Sequence, residues 1–344
     1  MNRFRFETVT LAIAGLLVVL TLQEPVNAQT KVGTTAAQFL GISVGPRAIA
    51  MGGAYVAEIN DATSLYWNPG AFQQAGKSQL VFSNTDWLVG TKFRWFGFML
   101  NLGNENALGI HLTQLDYGEE EVTTVNLPDG TGERWNAQDL AIGVSYCRRL
   151  TDRFSMGATV KYIEQRIWNE SASTFAFDLG LLFVTGFNDM RLGVSMSNFG
   201  GEMTLAGRDL LQQVDIDPTN SGSNKSLVGN LKTDPWAIPL LFRVGVAMDA
   251  YKDEDFRLTV AADALRPNDN EESVNVGGEF SWNEMIFMRG GYKSIFGTDA
   301  EEGVSLGVGL KYTAEGLGSL ELNYAYTNFG LFGNINTIGL AIAF

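Results

Sequence analysis

Residues 304–313 read Val-Ser-Leu-Gly-Val-Gly-Leu-Lys-Tyr-Thr, and their large side chains fall on every second position. Val304, Leu306, Val308, Leu310 and Tyr312 share one face, while Ser305, Gly307, Gly309, Lys311 and Thr313 share the other. A period of two is the side-chain repeat of a β-strand, here with one greasy face and one small or polar face. The pattern recurs. Leu320, Leu322, Tyr324 and Tyr326 alternate with Glu321, Asn323, Ala325 and Thr327. Leu140, Ile142, Val144 and Tyr146 oppose Asp139, Ala141, Gly143 and Ser145, and Phe256, Leu258, Val260 and Ala262 oppose Arg257, Thr259, Ala261 and Asp263.

Fourteen such segments run from about Ser78 to Phe344, at 78–87, 92–102, 106–115, 136–147, 154–166, 173–184, 189–197, 238–249, 255–265, 273–281, 285–293, 303–313, 318–327 and 335–344. Many match the roughly 9–11 residues with which a tilted strand crosses a bilayer; soluble strands cluster nearer five or six. The links sort by parity. Those near 103–105, 148–153, 185–188, 250–254, 282–284 and 314–317 are short, whereas 116–135 and 198–237 are long and 167–172, 266–272, 294–302 and 328–334 are intermediate. Short periplasmic turns opposite longer external loops characterise an outer-membrane barrel, and a soluble β-sandwich gives no reason for such sorting. The expected fold is therefore all-β: a 14-stranded antiparallel transmembrane β-barrel spanning 78–344. Closure lets every backbone N–H and C=O find an internal partner in hydrocarbon. Asp139, Lys161, Asp178, Arg191, Arg243, Asp263 and Glu321 are expected to face the lumen.

Composition agrees with this reading. The 344 residues include 39 Gly, 22 Phe, 10 Tyr and 7 Trp, an excess of glycine and aromatics that suits β structure. A net charge of −14 opposes nucleic acid as a partner, because phosphate binding rests on Lys and Arg. One Cys and one His supply neither a disulfide framework nor a zinc site, and no metal or cofactor is expected. His111 is expected to be a satisfied lumen residue and Cys147 a structural thiol. The carboxylates at 119–121, Asp215 with Asp217, 253–255, and Asp269 with Glu271 and Glu272 are expected to be solvated loops, since they lack EF-hand spacing. No phosphate-binding glycine loop or serine nucleophile elbow occurs, and an enzyme is not expected.

Residues 1–28 carry Arg3 and Arg5, an apolar run from Leu11 to Leu22 and a small-residue exit at Val26-Asn27-Ala28. This is a signal-peptide pattern, expected to be cleaved after Ala28; the alternative is an uncleaved anchor, for which the run is short. Residues 29–77 do not alternate. They are too few for a core of their own and are expected to fill the lumen as a hatch, in preference to capping the barrel from the periplasm. Asp61 is placed to cap a short helix ending before Pro69, and Gly52-Gly53 to pass close to the wall or take positive φ.

The stretch Lys31-Val32-Gly33-Thr34-Thr35-Ala36-Ala37-Gln38-Phe39-Leu40, then Gly45 to Ala57 with Arg47 and Gly52-Gly53, then Asp61-Ala62 and Tyr66-Trp67-Asn68-Pro69-Gly70, resembles the start of the PorV/PorQ family of the type IX secretion system. That family is related in fold to FadL-like transporters, and at position 70 it more often has Ala, a change that keeps the turn-forming Asn-Pro pair. The resemblance implies a hatch carried by Gly45, Arg47, Gly52, Gly53, Asp61, Asn68 and Pro69 in a barrel of the bacterial outer membrane. It also implies capture of secreted cargo by a C-terminal signal domain, together with other secretion components and membrane lipid as partners. Trp135, Leu210, Leu211, Val214 and Trp236 are the expected anchors on the external loops, because protein capture rests on a few apolar side chains. The alternatives are a FadL-like importer of hydrophobic small molecules and a purely structural role.

Overall fold

The computed structural model describes residues 32–58, 61–103, 105–215, 219, 227–297, 301–314, 316 and 318–344; the expected signal segment lies outside these. Strands β1 Gln79–Asp86, β2 Lys92–Asn101, β3 Asn106–Glu121, β4 Arg134–Thr151, β5 Phe154–Ile167, β6 Glu170–Val184 and β7 Arg191–Gly200 form the first half of the barrel. The second half is β8 Leu241–Lys252, β9 Phe256–Pro267, β10 Ser273–Trp282, β11 Ile286–Ile295, β12 Val304–Ala314, β13 Gly318–Asn328 and β14 Asn334–Ala343. Each strand pairs antiparallel with the next, and β14 returns to β1 with Ala343 opposite Gln79 and Asn336 opposite Asp86. The cylinder is closed.

The alternation separates two environments, as the period of two requires. Leu306, Val308 and Leu310 are 53%, 52% and 58% exposed on the outer wall, whereas Ser305 between them is 2% exposed. The wall carries the same apolar band elsewhere, from Val144 and Tyr146 to Ile338 and Ile342. Inside, Asp139, Lys161, Asp178, Arg243 and Asp263 are all buried.

Two expected links change. The one at 116–135 shrinks to 122–133, because β3 and β4 keep pairing beyond the usual spanning length: Glu121 lies opposite Arg134 and Glu120 opposite Trp135. A register shift between Asp116 and Glu119, with Gly118 at φ 83°, breaks the alternation there without ending the ladder. Trp135 is thus a strand residue and not a loop anchor. Similarly β5 and β6 are joined by residues 168 and 169 alone, with Trp168 at φ 50°. The long link after β7 holds a small hairpin, Leu211–Val214 paired with Leu227–Asn230.

Candidate functional site

Residues 32–58 and 61–77 lie against the inward-facing side of the wall. Gly45 at φ 81° turns the chain into helix α1 Pro46–Ala50, which has proline at its first position, where a missing N–H costs nothing. The helix stops at Gly52 and Gly53, both left-handed at φ 65° and 75°. A Cβ on Gly52 would stand 2.7 Å from the backbone nitrogen of Tyr292, so side-chain-free backbone is required on geometric as well as conformational grounds. Helix α2 Ser64–Trp67 ends before Pro69. Asp61 lies two residues before the N-cap Thr63: its Oδ1 accepts the N–H of Thr63 at 2.8 Å, and no side chain caps the helix itself.

The Asn68-Pro69-Gly70 turn meets the wall at Gly180 and Gly157. Asn68 donates through Nδ2 to the carbonyls of Val56 (2.8 Å) and Leu181 (3.0 Å), and its Oδ1 accepts the N–H of Gly70. A Cβ on Gly70 would sit 2.4 Å from the carbonyl oxygen of Gly180, and one on Gly157 1.9 Å from that of Pro69. Glycine at 70 is therefore a packing requirement and not a neutral choice: this wall leaves no room for the methyl group.

Arg47 is the electrostatic centre. Its Nε and Nη2 donate to Glu279 at 2.7 and 2.8 Å, Nη2 also to Glu58 at 2.9 Å, and Nη1 to the Tyr55 hydroxyl at 3.1 Å. Glu279 further accepts from Arg289 at 2.6 Å and Arg257 at 3.3 Å, and Glu58 from Arg191 at 2.7 Å. Asp61 stands 3.9 Å from Arg47 and accepts the Tyr55 hydroxyl at 2.8 Å. Buried charges persist only when paired and hydrogen-bonded, and this network meets both conditions. Period-two reading placed Arg191 and Glu321 inward but passed over Glu279, Arg289 and Glu58. Glu279 lies opposite Arg289 across the β10–β11 hairpin, so the register of that short turn was the available signal.

Further contacts tie the plug to the wall. Asp263 accepts the N–H groups of Tyr55 (2.7 Å) and Val56 (2.8 Å). The Arg243 guanidinium lies 5.0 Å from the Trp67 ring centre, and the Trp67 indole donates to Val44 at 2.9 Å. Lys161 pairs with Asp178 at 2.8 Å. His111 departs from expectation: it is buried and stacked on Trp95, with Nδ1 lacking a hydrogen-bond partner among the described residues. Its ring occupies the space over Gly143, which fixes its position without satisfying the nitrogen. Cys147 is buried and free.

The described residues of this segment reach the wall near both ends of the barrel. At the long-loop end Ala36 donates to the Ala237 carbonyl at 2.8 Å, and Thr35 and Gln38 donate to Asp269 at 2.5 and 2.8 Å. Asp269, expected to be solvated, is instead a buried tie, because plug side chains reach it. At the short-turn end Gln73 donates to Gly103 at 3.4 Å. There the Asp253 carboxyl is held below the usual range by the Tyr251 hydroxyl and the Phe256 N–H.

The expected loop anchors do not form one cluster. Leu211 and Val214 stand on the small hairpin at 50% and 43% exposure, beside Val228 at 63%. Leu210 is half-buried in the short turn Arg208–Leu210, and Trp236 bridges to Met203. The apolar signal of Val228 was in the sequence, but its pairing across the loop was not.

Among solved structures the fold resembles the CymD monoaromatic hydrocarbon channel (TM-score 0.55, 13% identity, 88% of this chain and 96% of that one). It also resembles the Pseudomonas putida toluene transporter TodX (0.54, 13%, 88% and 97%) and the Ralstonia pickettii toluene transporter TbuX (0.50, 12%, 88% and 97%). These likenesses show a shared barrel fold, and the closed cylinder with its apolar outer band is that of a bacterial outer-membrane barrel. No curated protein matches. The model of the type IX secretion system protein PorV matches residues 25–220, more than half of the 344. With its closed 14-stranded barrel and that match, the chain belongs to the PorV family of type IX secretion system proteins.

Proposed function

We propose that this barrel holds secreted cargo, through the cargo's C-terminal signal domain, at its long-loop mouth, and that it does so as a non-catalytic component of the secretion apparatus. In outer-membrane barrels the short turns face the periplasm, so that mouth is external. The observation that carries the reading is the exposed apolar hairpin, with Leu211 and Val228 on one face and Val214 on the other, on a chain whose family is a secretion family. Exposed apolar side chains in a cluster mark partner surfaces, and a loop hairpin can offer them without disturbing the wall. Residues 32–77 serve as the hatch, with Gly45, Arg47, Gly52, Gly53, Asp61, Asn68 and Pro69 as its docking residues.

The reading as a hydrophobic-molecule importer draws support from the fold likeness to hydrocarbon channels. The space beside the plug lined by Ile49, Trp87 and Phe329 is about 30 Å³, room for a water or two. That is far below the volume of a ligand pocket. A photo-crosslinker at Val228 discriminates: recovery of an exported protein joined through its C-terminal signal domain supports the secretion role. Recovery of lipid and assembly factors alone rejects it.

A further inference from the structure

The short-turn end of the lumen opens into a basin of about 490 Å³, within the range of small-molecule sites. In a chain of net charge −14 its lining is locally rich in cations: four guanidiniums (Arg47, Arg191, Arg257, Arg289) and three ammoniums (Lys77, Lys252, Lys311) stand among five carboxylates (Asp61, Asp189, Asp249, Glu284, Glu321). Beneath them Glu58 and Glu279 pair with those same four guanidiniums, which leaves Lys77 and Lys311 as the basin cations without an ion-pair partner among the described residues. Three guanidiniums converge on the single Glu279 carboxylate, whose two oxygens accept four N–H bonds from them. The Arg191 Nε is buried without a hydrogen-bond partner among the described residues. Lys77 and Lys311 are in no ion pair among the described residues, where the paired lysines are 92, 161, 252 and 293.

We propose that this basin binds a small polyanion, phosphate- or carboxylate-bearing, that enters from the periplasm. Guanidinium forks present paired N–H donors matched to such groups, and the two free ammoniums add charge without a competing partner. Low effective dielectric between a packed plug and a protein wall strengthens those contacts over their value in open water. The site lies at the opposite end of the barrel from the cargo-binding hairpin, so either reading can fail alone.

The test is calorimetric titration of the detergent-solubilised full barrel at low ionic strength, with pyrophosphate as the phosphoryl probe and citrate as the carboxylate probe. One saturable site is expected for at least one probe, and which one binds distinguishes the two chemistries. The variant Lys77→Gln/Lys311→Gln, altered only at unpaired side chains, is expected to weaken binding about ten-fold or more, and Lys232→Gln in the external loop to leave it unchanged. Absence of saturable binding by both probes overturns the proposal. So does equal affinity in the double variant, which would place the anion elsewhere.

Discussion

Replacing Arg47 with Met keeps most of the side chain's volume and removes four hydrogen bonds to Glu279, Glu58 and Tyr55. Breaking a buried ion pair by deleting one partner typically costs about 3–5 kcal/mol. The low end applies here, because Glu279 keeps Arg289 and Arg257 and Glu58 keeps Arg191. A loss of about 3 kcal/mol, felt locally, raises the opening equilibrium of the plug about a hundred-fold. Hydrogen exchange read by mass spectrometry is the assay. Peptides covering 46–70 should exchange about a hundred-fold faster, while those covering 304–313 stay protected. Glu279→Gln should be worse, since it takes the charge from three guanidiniums at once. If Arg47→Met leaves plug exchange unchanged, or if the wall opens with the plug, Arg47 does not anchor the plug. If Glu279→Gln proves milder than Arg47→Met, the convergence of three arginines on Glu279 has been misjudged.

Other expectations follow from the same geometry. Cysteine at Gly33 should react with an impermeant maleimide on intact cells and cysteine at Lys77 only after the outer membrane is opened, with buried Cys147 silent; the reverse pattern would invert the threading. Gly70→Ala should destabilise plug docking by about 1–3 kcal/mol through overpacking against Gly180, read as faster exchange at 46–70, whereas Gly41→Ala, with no neighbour within 4 Å of the added carbon and no positive φ, should leave that exchange nearly unchanged. Leu211→Ser with Val228→Ser should reduce signal-domain crosslinking while heat-modifiable mobility of the barrel is retained; unaltered crosslinking would remove the hairpin from the cargo surface. Leu306→Arg on the lipid face should cost about 2–4 kcal/mol in a lipid-reconstituted unfolding assay, and a neutral outcome would place that face in water.

The wall was legible because lipid imposes one rule on every strand: side chains of alternate positions meet opposite solvents, so Val304 to Thr313 announce both faces without knowledge of their neighbours. Interruptions to that rule were not legible. The bulge at Gly118 concealed the continuation of β3 and β4 and put Trp135 in the wrong class of element. The plug was recognisable as a segment that could not stand alone, yet its docking depends on partners far apart in sequence, such as Arg47 and Glu279, 232 positions distant. Local pattern carries no information about which inward charge meets which plug residue. The wall glycines are intermediate: Gly157 and Gly180 lie within the expected strands 154–166 and 173–184, and only the segment lying against them shows that the missing side chains make room for backbone.

Spin labels placed singly at positions 304 to 313 of the reconstituted protein give the most direct measurement, by comparing collision with oxygen, which partitions into lipid, and with a water-soluble nickel chelate. A lipid-facing wall requires oxygen access to peak at 304, 306, 308, 310 and 312 and to fall at the positions between them. Uniform access along the run, or greater nickel access at 306 and 308, would contradict a barrel whose outer surface is solvated by hydrocarbon.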